Sequence, residues 1–150
     1  MRDREVRAAF KIICWVSVGQ EPDLSELQQT LYRQLVAQPL PEAAKASPLL
    51  ALEVLKKAAT GVSVLLVLDD VWIASHATPL TFVDDSDARS AAIVTPRMRS
   101  LLEGAAEVQC GMLSKEASLE LLLRTGDCEH LLDAPPPAAL EVVELCDRLP

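Results

Sequence analysis

The stretch Val64–Trp72 reads VLLVLDDVW: five apolar residues, two aspartates and a further apolar pair. An unbroken run of Val and Leu predicts a strand buried on both faces, as in a parallel sheet that helices cover on each side. Ligands of open α/β sheets bind outside the carboxyl ends of the strands. Asp69 and Asp70 are therefore expected at a ligand-binding edge. The alternative interpretation is a buried strand that simply exits into an acidic turn.

Two carboxylates at such an edge have a specific chemistry. Mg²⁺ prefers carboxylate oxygen, and Asp69 is the first polar residue after the strand, so Asp69 is the candidate metal ligand. Asp70 follows at once and is the candidate catalytic residue, because a second carboxylate could orient or deprotonate a water. Such a pair after a hydrophobic strand is the Walker B arrangement of nucleotide-binding P-loop proteins.

Strand-like and helix-like segments alternate along the rest of the chain. This alternation predicts an α/β fold with a mainly parallel sheet. Loops are expected at 38–46 and 76–90, and Trp15 and Trp72 are expected to pack at the edge of the core. The other predicted strands are Phe10–Val18, Ala91–Thr95 and Val108–Leu113. Asp23 and Glu26 are expected to form a capping box at the start of the first predicted helix. The predicted helices are Leu24–Leu35, a segment capped by Ser47 and closed by Gly61, a segment bracketed by Ser114 and Gly126, and Ala138–Leu149.

Composition excludes several classes of protein. The 150 residues carry a net charge of -8 with no basic stripe, which argues against nucleic-acid binding. The longest apolar run, 62–68, is far too short to span a bilayer. The N-terminus lacks the apolar stretch of a signal peptide. Four widely spaced cysteines without a CxxC are expected to be reduced core residues, which suits a cytoplasmic protein.

The strand predicted at 91–95 runs into Thr95-Pro96-Arg97. An arginine at a strand end could bind a γ-phosphate, because its planar guanidinium matches phosphate oxygens. The alternative is an ordinary surface arginine at the start of a helix. Four segments, in this order, add context: FKIICWVSVGQ (10–20), LLVLDDVW (65–72), IVTPRMRSL (93–101) and LCDRLP (145–150).

This ordered set resembles the NB-ARC domain, the nucleotide-binding switch of plant resistance-type receptors and apoptosis activators. The resemblance implies a partial P-loop NTPase three-layer sandwich followed by the start of a helical subdomain. It matches Asp69 to the Walker B aspartate that supports Mg²⁺, and Asp70 to the adjacent acidic residue linked to ATP hydrolysis. Arg97 matches the γ-phosphate-sensing arginine of the TTR motif, and Pro150 matches the GLPL proline that lies against adenine.

The sequence also departs from the family pattern. The phosphate loop GxxxxGK[ST], which would cradle the phosphates, has no counterpart, since no Gly-Lys pair exists. Pro96 replaces the second Thr of TTR, and Arg148 stands where GLPL begins with Gly. We therefore expect weak nucleotide binding by this chain. We also expect Met1 to fall inside a longer reading frame whose upstream part holds the phosphate loop.

The leading hypothesis is a partial NB-ARC domain that binds ADP or ATP with Mg²⁺ and switches an attached effector in defence or cell death. Residues 1–113 would be the nucleotide-binding core and 114–150 the start of a helical ARC-like subdomain. Slow ATP hydrolysis is expected only if the phosphate loop is present upstream. Expected partners are effector and sensor domains or other proteins, with homo-oligomers in the active state. The alternatives are a degenerate interaction module that binds no nucleotide and pairs with an intact partner, and another P-loop ATPase of the same broad group.

Overall fold

The computed structural model describes residues 4–83, 89–98 and 104–148. The chain divides into two compact units, Met1–Ala105 and Ala106–Pro150. Each unit is described separately below. The domain boundary predicted between residues 113 and 114 stays a prediction.

The first unit is an α/β layer structure built around three parallel strands, which confirms the predicted fold class. The strands lie in the order β1-β2-β3. The elements are α1 (Arg4–Ala9), β1 (Ile12–Gly19), α2 (Leu24–Val36), α3 (Pro48–Ala59), β2 (Val64–Val71), α4 (Ala74–Ala77) and β3 (Ala91–Pro96), with 3-10 turns at Glu42–Ala46 and Thr78–Leu80.

Strand β2 is the centre of the sheet and pairs with both neighbours in parallel. Its first five residues are all buried, as the apolar run of the sequence predicts. Leu66 lies opposite Cys14 of β1 and Ala92 of β3. By contrast, β3 has no buried residue, and Ile93 is 47% exposed. The sheet is therefore packed at β2 and open to solvent along β3.

The main core lies where one face of β1 and β2 meets the helices. Alternate strand residues point to the same face, and helices α2 and α3 bring leucines onto that face at steps of three and four. Because these side chains are mostly branched aliphatics with little exposed surface, their burial is the main stabilising contribution. The core side chains include Cys14, Val16, Val18, Leu31, Leu35, Leu55, Val64, Leu66, Leu68, Leu80 and Phe82.

Helix ends follow the predicted capping chemistry. The Asp23 carboxylate accepts a hydrogen bond from the Glu26 N–H at the start of α2. The Ser47 hydroxyl does the same for the Leu50 N–H at the start of α3, with Pro48 in the first turn. These side chains satisfy N–H groups that have no partner inside the helix. Gly61, just beyond α3, has a φ of 75°, a conformation that glycine adopts without steric cost.

The segment predicted as an irregular loop at 76–90 is wrong over its first part. Residues Ala74–Ala77 form α4 and Thr78–Leu80 a 3-10 turn, and Leu80, Phe82 and Val83 are buried in the core. These three apolar residues are too few to give a periodic signal, yet they pack into the main core. The acidic residues 84–88 lie outside the described part of the chain.

The second unit is helical. Helices α5 (Lys115–Thr125) and α6 (Pro137–Leu145) pack against each other, with a 3-10 turn at Glu129–Leu131 between them in sequence. Ser114 caps α5, and Gly126 ends it, as predicted. Among residues 106–148, the buried ones are Ser118, Leu123, Ala139 and Val143.

The strand predicted at Val108–Leu113 is wrong. These residues form no regular structure, and Val108 is 83% exposed. A strand needs a neighbour to satisfy its backbone N–H and C=O groups, and none of the described strands pairs with this segment. The Leu113 N–H instead donates to the Arg148 carbonyl.

The cysteines are free, but only one of them is a core residue. Cys14 is fully buried, whereas Cys110 and Cys146 are exposed and Cys128 is intermediate. The prediction of four core cysteines is therefore wrong for three of them. Among the described residues, no helix combines the length and apolar character needed to cross a membrane.

Candidate functional site

The carboxyl ends of β2 and β3 meet at one edge of the sheet and form an open cleft. Because parallel strands run in the same direction, residues that follow adjacent strands are brought together even when they are far apart in sequence. The cleft has a volume of about 470 Å³. Its lining residues are Ser17, Asp69, Asp70, Thr95, Pro96 and Arg97.

The strand pairing is irregular at this edge. Leu68 pairs with Val94 and Val71 pairs with Pro96, so β2 carries one residue more than β3 over this step. This is a β-bulge, which re-aims the side chains of the bulged strand. Asp70 takes the left-handed conformation with a φ of 58°. Aspartate is one of the few residues besides glycine that adopts it readily.

The Thr95 hydroxyl lies between the two aspartates. The Asp70 N–H donates to Thr95 Oγ1 over 2.9 Å. Thr95 Oγ1 in turn donates to Asp69 Oδ1 over 2.5 Å. The Thr95 side chain of β3 therefore accepts a hydrogen bond from the backbone N–H at the bulge and donates one to the Asp69 carboxylate.

Arg97 is held by three contacts. Its side-chain Nε–H donates to Asp70 Oδ1 over 2.5 Å, and its backbone N–H donates to the Val71 carbonyl over 2.9 Å. Its guanidinium carbon lies 5.5 Å from the centre of the Trp72 ring, within the range of a cation–π interaction. The arginine is consequently fixed at the rim of the cleft, where its side chain stays 60% exposed.

The hydrogen bond from Arg97 is the largest cause that lowers the pKa of Asp70 below its ordinary value. Partial burial opposes this shift, and a hydrogen bond with Trp72 and the positive charge of Arg97 add to it. The two neighbouring aspartates therefore have different partners: Asp70 faces a cation and Asp69 faces a hydroxyl.

The structure brings Asp69, Asp70 and Arg97 together, as the sequence analysis expected of a common edge. Pro150 lies outside the described residues. Sequence reasoning missed Thr95 and Trp72 as members of the site. Trp72 was expected at the core edge, but it is 37% exposed and lies under Arg97. The available signal for Thr95 was its place at the end of the strand next to the Asp-Asp strand.

The few oxygen ligands at this edge suit Mg²⁺, which keeps several waters or phosphate oxygens among its ligands. They suit less well a metal ion that only protein side chains coordinate. Among residues 4–83, 89–98 and 104–148, no group of three or more His, Cys, Asp or Glu side chains could hold a metal ion. Mg²⁺ is typically bound through one or two carboxylates, waters and the phosphates of a substrate. Asp69 would supply the carboxylate, with the Ser17 hydroxyl in the same cleft.

Comparison with known proteins adds one finding. The family model of the NB-ARC domain matches residues 1–130. No curated protein sequence matches the chain.

Proposed function

This chain belongs to the NB-ARC domain family, and from that premise we propose that it forms part of an ADP/ATP-dependent molecular switch. NB-ARC domains are nucleotide-binding signalling modules. The observation that carries the proposal is the convergence of two aspartates and an arginine in the cleft at the ends of β2 and β3. These residue types match the two charged parts of a magnesium nucleotide, the cation and the phosphates.

In this proposal Asp69 binds Mg²⁺. Its neighbour Asp70 is already paired with Arg97, so Asp69 is the carboxylate of the pair that no described cationic side chain is seen to engage. A hard divalent cation is bound most readily by a carboxylate that does not have to give up another ion pair. The nucleotide phosphates would complete the coordination.

Arg97 is the proposed phosphate-contacting residue. Its guanidinium lies at the rim of the cleft and is more than half exposed. Asp70 engages only its Nε–H, and a γ-phosphate that took over this donor would exchange one anionic acceptor for another that fits the same planar fork. Asp70 would then be released to orient or deprotonate a water, which would make any hydrolysis dependent on this exchange.

From the resemblance to the family, we also propose a role in signalling. A family switch would act on attached effector and sensor domains, in defence or cell-death signalling, in the cytoplasm, and would assemble with copies of itself when active. Adenine contact by Pro150 belongs to the same extension. Hydrolysis would also need a phosphate loop, and these 150 residues contain no GxxxxGK[ST].

A second candidate function is an interaction module that keeps the fold and binds no nucleotide. Two observations favour it: the sequence has no Gly-Lys pair to cradle phosphates, and Arg97 is engaged by Asp70. In this case the Asp70–Arg97 pair would only stabilise the pairing of β2 and β3 at their carboxyl ends.

Calorimetry with MgADP and the full chain separates the two candidates. We expect binding weaker than micromolar, which Asp69→Ala reduces further. Glu53→Ala is the matched control, because it removes a carboxylate from the exposed surface of α3. Binding that is unaffected by Asp69→Ala would refute the metal role. No heat of binding in any variant would favour the interaction module.

A further inference from the structure

The hydroxyl of Thr95 contacts both aspartates of the cleft, and it does so at a point where the backbone is irregular. It accepts from the Asp70 N–H at 2.9 Å and donates to Asp69 Oδ1 at 2.5 Å. The bulge explains this double contact. Asp69 and Asp70 both oppose the single residue between Val94 and Pro96 on β3, and that residue is Thr95.

The chemistry of the three groups decides which of them donates in each of the two hydrogen bonds. A backbone N–H can only donate, so Thr95 Oγ1 must accept from Asp70. A hydroxyl has one proton to donate, and an ionised carboxylate can only accept, so the proton of Thr95 is directed to Asp69. The geometry therefore leaves one orientation of the hydroxyl that satisfies all three groups.

The two aspartates are thus held by different means. Asp70 is oriented by Arg97 and by its own left-handed backbone. For Asp69, the side-chain hydrogen bond seen among the described residues comes from Thr95. Partners that hydrogen-bond to a metal-binding group fix its orientation, and their loss typically lowers metal affinity by 10- to 100-fold.

We propose that Thr95 is a positioning residue, which holds the Asp69 carboxylate in the orientation that binds a divalent cation. This inference rests on the proposed function, since it assigns Asp69 as the metal ligand. It adds that Thr95 acts through Asp69 without itself contacting the cation. One oxygen of Asp69 is held by the hydroxyl, and the other serves the cation.

The test uses Mn²⁺ as the probe, added to the full chain and followed by the loss of the free-ion signal in electron paramagnetic resonance. Thr95→Val removes the hydroxyl and retains the shape, and it should weaken Mn²⁺ binding about tenfold. Thr95→Ser restores the hydroxyl and should bind as the wild type does. Thr81→Val is the matched control, because the Thr81 hydroxyl donates only to the Ala77 carbonyl.

A purely structural role of Thr95 predicts a different pattern. The Nε–H resonance of Arg97 in NMR spectra reports whether the Asp70–Arg97 pair at the bulge is intact. We expect this resonance to stay in place in Thr95→Val while Mn²⁺ affinity falls. A loss of affinity accompanied by a shift of that resonance would overturn the inference, because the bulge itself would have changed.

Two further outcomes distinguish this inference from the proposed function. If Thr95→Val binds Mn²⁺ as tightly as the wild type, the positioning role is refuted and the metal site stands. If the wild-type chain binds no Mn²⁺, either alone or with ADP present, the metal site is refuted and the positioning role falls with it. Should Thr95→Val fail to fold, Thr95→Ala and Thr95→Ser provide the same comparison, since they differ only in the hydroxyl.

Discussion

At the scale of single residues, two adjacent aspartates differ in what they contact. The bulge in β2 turns Asp70 toward Arg97, whereas Asp69 receives the hydroxyl of Thr95. Two identical side chains one position apart thereby acquire different electrostatic surroundings. This difference is the physical basis on which we propose metal binding by Asp69 and the orientation or deprotonation of a water by Asp70.

The Asp70–Arg97 pair makes a prediction about pH. Because the folded pKa of Asp70 is lowered, mainly by Arg97, the pair stabilises the fold above the ordinary pKa of 3.8. That contribution is lost as the pH falls through the lower folded value. Arg97→Gln should therefore destabilise the chain at neutral pH and progressively less below about pH 4.

Urea unfolding of both chains across this range measures the effect, with Arg33→Gln on the exposed surface of α2 as the control. A difference between the wild type and Arg97→Gln that is independent of pH would rule out Asp70 as the partner that matters.

Cysteine reactivity tests the burial of β1. Burial raises the pKa of the Cys14 thiol to about 11, so little of the reactive thiolate forms near neutral pH. Iodoacetamide should label the exposed Cys110 and Cys146 quickly and Cys14 only after denaturation. Mass spectrometry of timed samples distinguishes the sites. Labelling of Cys14 at the rate of Cys146 would contradict the described packing of β1.

At the scale of elements, the helix ends were the most predictable features. Asp23, Ser47 and Ser114 were identified as starting residues because their side chains can accept from N–H groups left free by the helix, and each does so. The strand at 108–113 was not predictable, because apolar character does not reveal whether a neighbouring strand is present. The buried turn at Thr78–Leu80 likewise depends on its contacts with α2 and α3, which only the tertiary structure defines.

The cap of α2 is open to direct measurement. Asp23→Ala removes the acceptor for the Glu26 N–H and should lower the free energy of unfolding by about 1 kcal/mol. Ser25→Ala, at the exposed second position of the same helix, should change it by only a few tenths of that amount. Chemical denaturation gives both values, and equal effects of the two substitutions would refute the capping role.

The asymmetry of the sheet gives a second prediction at this scale. Leu66 is fully buried on the central strand, whereas Ile93 on β3 is 47% exposed. Leu66→Ala should cost about 2–5 kcal/mol, through lost burial and the cavity that remains. Ile93→Ala should cost far less, because its side chain is already half in solvent. Thermal unfolding of both variants checks the ranking, and a reversal would mean that β3 is covered in solution.

At the scale of the whole molecule, a sequence pattern located the edge of the sheet where the charged residues meet. The run VLLVLDDVW indicated both the central strand and its ligand-binding end, because parallel strands are buried and end together. It did not reveal the bulge, which depends on how β2 and β3 align. The roles of Thr95 and Trp72 follow from that alignment, so they emerged only from the structure.

The central claim is that a divalent cation binds at the joined ends of β2 and β3. The most direct test is to add substoichiometric Mn²⁺ to the isotope-labelled chain and to map which backbone amide signals broaden in NMR spectra. We predict that broadening is centred on Ser17, Asp69 and Thr95, and that Asp69→Ala abolishes it. Broadening spread over other acidic surfaces with these signals unaffected would contradict the account.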